Sequence, residues 1–360
     1  MNLVIAGGGT GGHLFPGVAL AEEFCRRVPE VNVTFIGAER GLETRVIPPL
    51  GYQLVTLPVR GVVGIGFLKG LARAFSLLGS SARVFWMLGR IRPDLVIGVG
   101  GYASVPAVLA AAARGTPRSI LEQNVMPGRA NQVLARFVQR IYQGFASRNE
   151  VFPSEKTVVT GNPIRPQMLP PPGLRRPPGR RSLLILGGSQ GAKQINDLAM
   201  EFVPRLKERF PDLEVVHQAG AAHETAVRDS YRRAGIEVEV VPFITGMADA
   251  YAGADLCVSR AGAMAISALA ASGLPALLVP FPNSAGGHQI LNARWLEERG
   301  GAIVAMPEEV TADLLVAQIS RLLDTPGLLE EMAEAARRYG VRDAARRIVE
   351  EELKRIGKRG

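Results

Sequence analysis

The chain opens the same way twice, half its 360 residues apart, and that repetition limits its possible folds more than any other feature. Leu3-Val4-Ile5-Ala6 is an apolar run that enters Gly7-Gly8-Gly9-Thr10-Gly11-Gly12-His13. A helical pattern follows from Leu14 to about Arg26, with Pro16 in its first turn, where a missing N–H does no harm. Ser182-Leu183-Leu184-Ile185-Leu186 likewise enters Gly187-Gly188-Ser189-Gln190-Gly191, and a helix is predicted from about Ala192 to Arg209. Strand, glycine loop and helix begin a βαβ unit, and the run Val31 to Ile36 supplies its second strand in the first half. The second half continues with strands predicted at Leu213 to His217, Ile236 to Val241, Asp255 to Val258 and Ala276 to Val279, alternating with helices. Alternation of this kind predicts parallel sheets covered on both faces. The expected fold is therefore α/β, with two doubly wound Rossmann-like domains facing across a cleft.

Length agrees with two domains at roughly 150 residues each. Residues 1–165 form the first and 182–341 the second. Residues 166–181 join them, and Pro170-Pro171-Pro172, Pro177-Pro178 and four arginines predict an extended, semi-rigid connector. Residues 342–360 carry a last helix, from Arg342 to Ile356, with Ala345, Ile348, Val349, Leu353 and Ile356 on one stripe. Either domain could receive it.

Cys25 and Cys257 lie far apart, which fits a reducing compartment better than a disulfide framework. No signal peptide and no apolar span of about 18 residues is read from the sequence. The net charge of +9 favours nucleic acid, anionic lipid or phosphorylated substrates, or is simply a solvated basic surface. Residues 62–92 sharpen that choice, because they contain no acid. Lys69, Arg73, Arg83, Arg90 and Arg92 are interleaved there with Phe67, Leu68, Leu71, Phe75, Leu78, Phe85 and Trp86. Basic and apolar groups together suit the plane of an anionic bilayer, and two core helices with basic outer faces are the other reading.

Gly7, Gly9 and Gly12 also satisfy G-x-G-x-x-G, and Glu39 could serve as the ribose-binding acid of a nicotinamide or flavin enzyme. Two glycine edges, however, imply a ligand held between domains at the carboxyl ends of both sheets. Neither edge is a phosphate loop of the Gly-Lys-Ser/Thr kind. No Asp-x-Asp occurs, and His217, His223 and His288 lack ligand spacing, so neither a metal nor another cofactor is expected.

Further blocks narrow the class. Gly9-Thr10-Gly11-Gly12-His13-Leu14-Phe15-Pro16-Gly17, Gly100-Gly101-Tyr102-Ala103-Ser104, Glu122-Gln123-Asn124 and Gly161-Asn162-Pro163-Ile164-Arg165 follow one another in the first half. Gly187-Gly188-Ser189-Gln190-Gly191, Ser259-Arg260-Ala261-Gly262-Ala263, Gly273-Leu274-Pro275-Ala276, His288-Gln289 and Asn292-Ala293 follow in the second. In order and extent this set resembles the MurG-type family of peptidoglycan glycosyltransferases. The resemblance implies a GT-B fold that holds UDP-N-acetylglucosamine mainly on the second domain. It implies a lipid-linked muramyl-pentapeptide (undecaprenyl-pyrophosphoryl) acceptor on the first, inverting chemistry that makes a β-1,4 link, and peripheral attachment to the cytoplasmic face of the cell membrane. Nucleic acid is not an expected partner.

Such chemistry needs a base for the acceptor hydroxyl and a stabilised diphosphate leaving group. His13, where a glycine loop meets a helix N-terminus, is the candidate base or acceptor-orienting group, since imidazole transfers protons near neutrality. Otherwise it only fixes the loop. The helix starting near Gly262-Ala263-Met264 is the candidate diphosphate receptor. Ser189 would add a hydroxyl and Arg165 a charge, unless Arg165 is a hinge salt bridge. By resemblance Thr10, Gly11, Gly12, Asn124 and Gln289 line the sugar-nucleotide site, Ile244 frames the uracil, and Ala263, Met264, Ala265, Ile266, Ser267 and Ala268 complete it. Three departures stand out: Ala268 replaces an expected ribose-gripping glutamate, Ala265 an expected hydroxyl residue, and Gly286-Gly287 expected polar residues. The rivals are a related transferase with another sugar or acceptor, a nicotinamide-dependent oxidoreductase, and a catalytically silent membrane-binding relative.

Overall fold

The computed structural model describes residues 1–58, 67–146, 151–174, 181–187, 192–282 and 284–357, the side chains of 67–78 and 285 excepted. The chain divides into two compact units, Met1–Arg165 with Asp343–Gly360, and Pro166–Arg342.

The first unit runs β1 (Asn2–Ala6), α1 (Gly11–Arg27), β2 (Asn32–Ala38), α2 (Glu43–Val46), β3 (Gln53–Leu57), α3 (Phe67–Ile91) and β4 (Leu95–Gly98). It continues through α4 (Ser104–Ala113), β5 (Arg118–Glu122), α5 (Arg129–Leu134), β6 (Arg140–Gln143) and β7 (Thr157–Val159). Among the described residues its parallel sheet has the order β3-β2-β1-β4-β5-β6-β7. Leu3, Val4, Ile5 and Ala6 are fully buried, as a central strand covered on both faces demands. The chain order reverses between β1 and β4, which pair directly, Leu3 opposite Leu95 and Ala6 opposite Gly98. That reversal opens a crevice at the carboxyl ends of the two strands.

The second unit repeats the plan. It comprises β8 (Ser182–Leu186), α6 (Lys193–Arg209), β9 (Glu214–Gln218), α7 (Glu224–Arg233), β10 (Glu239–Val241), α8 (Met247–Ala252), β11 (Leu256–Ser259) and α9 (Ala263–Ser272). Then come β12 (Ala276–Leu278), α10 (His288–Glu297), β13 (Ala302–Val304), α11 (Ala312–Asp324) and α12 (Leu328–Tyr339). Its sheet order, β10-β9-β8-β11-β12-β13, puts the reversal between β8 and β11.

The last helix, α13 (Ala344–Gly357), belongs to the first unit. Ile348 and Val349 are fully buried in the cluster of Leu14, Leu20 and Phe24 from α1, with Ala345 and Leu353 packed against it. The buried Glu352 carboxylate accepts a hydrogen bond from Tyr142 Oη on β6 at 3.0 Å and is paired with Arg355 at 2.5 Å. This settles a docking that the apolar stripe left open.

Two expected boundaries move for local reasons. α1 starts at Gly11, not Leu14, because Thr10 is extended (φ −132°, ψ 158°) and its carbonyl accepts the N–H groups of His13 and Leu14. Pro16 consequently lies one turn deeper than its sequence position suggests. The strand predicted from Ile236 begins only at Glu239, since Ile236 N–H donates back to Tyr231 O and closes α7.

Candidate functional site

In the first unit, two loops meet at the reversal. The β1–α1 loop and the β4–α4 loop are close enough that Gly8 N–H donates to Gly100 O at 3.3 Å. Gly7 has φ +148°, and a Cβ there would lie 2.3 Å from Gly100 O. A Cβ at Gly100 (φ +91°) would lie 2.6 Å from His13 Nδ1. No side chain could be added at either place without separating the loops.

His13, in the first turn of α1, is half-buried against this junction. Its Nδ1 is 3.1 Å from Oε1 of Gln123, just beyond β5. Gln123 is itself buried, and its Nε2 donates to Val99 O at 2.8 Å. Thr10, the residue before α1, is exposed and its hydroxyl caps no helix N–H, while Gly11 and Gly12 continue the same open edge.

Two buried carboxylates to which sequence reading gave no role of their own brace the β1–α1 loop and the neighbouring loop after β5. Glu43, at the start of α2, accepts Gly9 N–H at 2.9 Å and Ala38 N–H at 2.5 Å. Gly37 and Gly41 leave it room, since a Cβ at either would fall within 2.3 Å of its side chain. Glu39, the sequence's choice of acid after β2, is exposed instead. A carboxylate in a short polar segment reads as solvated, and only the turn of α2 directs Glu43 back to the loop. Glu122 was visible only as part of a motif. Its oxygens take four donors: Asn124 N–H at 3.0 Å, Asn124 Nδ2 at 3.2 Å, and Gly128 N–H and Asn131 Nδ2 at 2.9 Å each. Asn124 is thus held beside Gln123, and Asn162 Nδ2 donates to Gln123 O at 3.0 Å.

In the second unit, α9 begins at the β8/β11 reversal with Gly262 extended before it. Its first turn has no acidic residue and no side-chain cap, so the N–H groups of Ala263, Met264 and Ala265 point out of the helix start. Met264 and Ala265 are half-exposed, whereas Ile266, Ser267 and Ala268 are buried, Ala268 at 5% exposure. Ala265 and Ala268 share one helix face, so the two alanine departures fall together. Arg260, leaving β11, stacks on Phe281 at 4.9 Å and donates to Gln194 Oε1 at 3.1 Å. Burial lowers its pKa from the ordinary guanidinium value.

Ile244 is held by its N–H to Gln218 Oε1 at 3.2 Å, next to an exposed Phe243. Gln289 braces the loop before α10, its Oε1 accepting Phe281 N–H at 2.9 Å. Ser189 lies outside the described residues. Arg165 is paired with Glu22 of α1 at 2.6 Å, within the first unit.

Along α3, Val84 and Leu88 are buried while Arg83, Trp86 and Arg90 are exposed along one face, Trp86 at 74%. Residues 67–91 of that stretch form a single helix. Residues 62–66 and the side chains of Phe67, Leu68, Lys69, Leu71, Arg73, Phe75 and Leu78 lie outside the described residues. Among the described residues no helix is long and apolar enough to cross a membrane.

Two Rossmann-like domains in one chain, each with its own reversal of strand order, define a GT-B fold. Residues 3–143 match the glycosyltransferase family 28 N-terminal domain and residues 182–348 its C-terminal domain. The chain belongs to glycosyltransferase family 28. It is 42% identical over 351 residues to a Citrifermentans bemidjiense protein, covering 97% of this chain and 98% of that one. That relative is named UDP-N-acetylglucosamine--N-acetylmuramyl-(pentapeptide) pyrophosphoryl-undecaprenol N-acetylglucosamine transferase. A Geobacter sulfurreducens protein of the same name is 42% identical over 358 residues, covering 98% of each chain. The crystal structure of Acinetobacter baumannii MurG superposes with a TM-score of 0.80 at 28% identity, covering 98% of this chain and 99% of that one. A Neisseria meningitidis UDP-GlcNAc 2-epimerase shares the fold alone, at a TM-score of 0.66 and 16% identity over 98% of this chain and 100% of that one. Membership of family 28 removes the nicotinamide reading of the first glycine loop.

Proposed function

We propose that this chain is an inverting hexosyltransferase of peptidoglycan synthesis. It moves N-acetylglucosamine from UDP to the C4 hydroxyl of an undecaprenyl-pyrophosphoryl muramyl-pentapeptide. The observation that carries this reading is the 42% identity, along 97% of the chain, to a relative named for that activity.

The residues give the reaction a route. His13 Nε2 takes the proton of the acceptor hydroxyl while its oxygen bonds to the anomeric carbon of the donor. The bond from that carbon to the diphosphate oxygen breaks, and its electron pair leaves with UDP. The start of α9 meets the diphosphate with the N–H groups of Ala263, Met264 and Ala265, where the helix dipole favours negative charge. Thr10, Gly11, Gly12, Asn124 and Gln289 line the donor, Ile244 frames the uracil, and Ser189 adds a hydroxyl. Arg165 contributes only by exchanging Glu22 for the ligand.

Ala268 sets the expected strength of donor binding. A hydrogen bond to a charged group contributes about 1.5–3 kcal/mol, so a missing ribose carboxylate weakens UDP binding roughly 10- to 150-fold. The chain works against the cytoplasmic, anionic face of the membrane as a peripheral protein, on the exposed face of α3, and not on nucleic acid.

Calorimetric titration with UDP and UDP-N-acetylglucosamine, with NADH as the contrast, tests the donor assignment. The chain should bind both uridine ligands, and Ala268→Glu should bind them more tightly. Heat from NADH with none from UDP, in both forms, would reverse the assignment.

A further inference from the structure

We infer that Gln123 is a positioning residue that fixes His13 in its Nδ1–H tautomer and so keeps the ring's lone pair on Nε2. This deepens the reading of His13 as the base and rests on it for its catalytic meaning. The tautomer itself follows from geometry alone.

Val99 O, a backbone carbonyl, can only accept. Gln123 Nε2 lies 2.8 Å from it, so the amide must face that carbonyl with its N–H2. The flipped amide would set two acceptors against each other in a buried place, since Gln123 is 1% exposed. Oε1 therefore faces His13 Nδ1, at 3.1 Å. A carbonyl oxygen has no proton to give, so Nδ1 must carry one, and a neutral imidazole then has its lone pair on Nε2. Nε2 has no hydrogen-bond partner among the described residues and is not among the buried unpaired atoms.

The frame around this contact leaves Gln123 little freedom. Its own carbonyl accepts Asn162 Nδ2 at 3.0 Å. The neighbouring Glu122 ties down Asn124, Gly128 and Asn131. Gly100, lacking a Cβ, lets the His13 ring lie against the β4–α4 loop. Imidazole in water favours the opposite tautomer, so the contact acts against the ring's own preference. A base whose lone pair sits on the wrong nitrogen is disabled even when the ring is in place.

The chain has four histidines, which makes the tautomer directly readable from histidine side-chain nitrogen NMR above the titration range. His217 is an internal contrast. Asn196 Nδ2 donates to Ala219 O at 2.9 Å, so Asn196 Oδ1 accepts from His217 Nε2 at 3.0 Å. Tyr231 Oη then donates to Nδ1 at 2.9 Å. One spectrum should show His13 as Nδ1–H and His217 as Nε2–H.

In Gln123→Leu, His13 should shift to the Nε2–H form and kcat should fall about tenfold or more, short of the roughly 10²–10⁴-fold that a general base supplies. KM for UDP-N-acetylglucosamine should stay within about twofold, a small change on the affinity scale. Gln123→Glu keeps an acceptor for Nδ1–H but gives up the amide N–H that meets Val99 O, so it should hold the Nδ1–H form while restoring only part of the turnover. His13 found as Nε2–H in the unaltered chain, or a tautomer unmoved by Gln123→Leu, overturns the inference. An Nδ1–H ring combined with full turnover by His13→Gln would instead overturn the base assignment and leave the tautomer standing.

Discussion

At the residue scale, His13 and His217 use the same ring in opposite ways. His217 is fully buried and both ring nitrogens are paired, with Tyr231 and Asn196. Burial pushes its pKa down to about 4, from an ordinary 6.5. Between those values the unfolded chain binds a proton that the folded chain refuses, so stability rises with pH across that window. The shift corresponds to about 3 kcal/mol, gained from about pH 4 to pH 6.5 and flat above it. Glu23, which Arg26 holds below the ordinary carboxylate value, adds its own loss only at lower pH. Urea unfolding followed across that range should show the slope, and His217→Leu should abolish it. The same variant should be less stable at pH 7, because Asn196 and Tyr231 lose partners at about 1–3 kcal/mol for a buried group. An unchanged slope in His217→Leu would assign the pH dependence elsewhere. His13 itself should be tested by turnover: His13→Ala is expected to lower kcat roughly 10²–10⁴-fold while UDP still binds in calorimetry.

At the scale of elements, α13 and α3 carry separate predictions. α13 fastens to α1 through Ile348 and Val349 and to β6 through Glu352 and Tyr142. Ile348 is fully buried, so Ile348→Ala should cost about 2–5 kcal/mol of stability. A loss below about 1 kcal/mol in denaturant titration, the scale of a change that leaves no cavity, would mean the helix is not part of that core. On α3, Arg83, Trp86 and Arg90 share one exposed face. Sedimentation with anionic phospholipid vesicles should capture the chain at low salt and release it at high salt. Trp86→Ala should weaken that capture, and an equal affinity for neutral vesicles would remove the electrostatic part of the reading.

These elements also mark how far the residues could be read in advance. Leu3 to Ala6 and Ser182 to Leu186 are unbroken apolar runs because they lie at sheet centres, so the strands and the doubly wound plan were legible. The stripe on α13 announced burial without saying against which domain, since any apolar surface would complement it. Glu43 was invisible for a different reason. Its carboxylate matters through two backbone N–H groups, of Gly9 and Ala38, and backbone donors leave no trace in side-chain chemistry. The same holds for Gln123, whose role depends on a carbonyl brought to it by β4 and its loop.

At the scale of the whole molecule, two glycosyltransferase family 28 domains share one chain, and the last helix returns to the first of them. One reversal point carries a half-buried histidine against a buried glutamine, and the other a helix start without a side-chain cap. Alanines at 265 and 268 leave the second poorer in polar groups than the resemblance would have it. A working transferase with weakened donor affinity is therefore expected. The measurement closest to that claim is transfer of labelled N-acetylglucosamine from UDP to a polyprenyl-pyrophosphoryl muramyl-pentapeptide in mixed micelles, with the chain as it stands and with Ala268→Glu. A labelled lipid-linked disaccharide, formed with equimolar UDP by both and at lower donor concentration by Ala268→Glu, is the predicted result. No disaccharide from either form at saturating donor would contradict it.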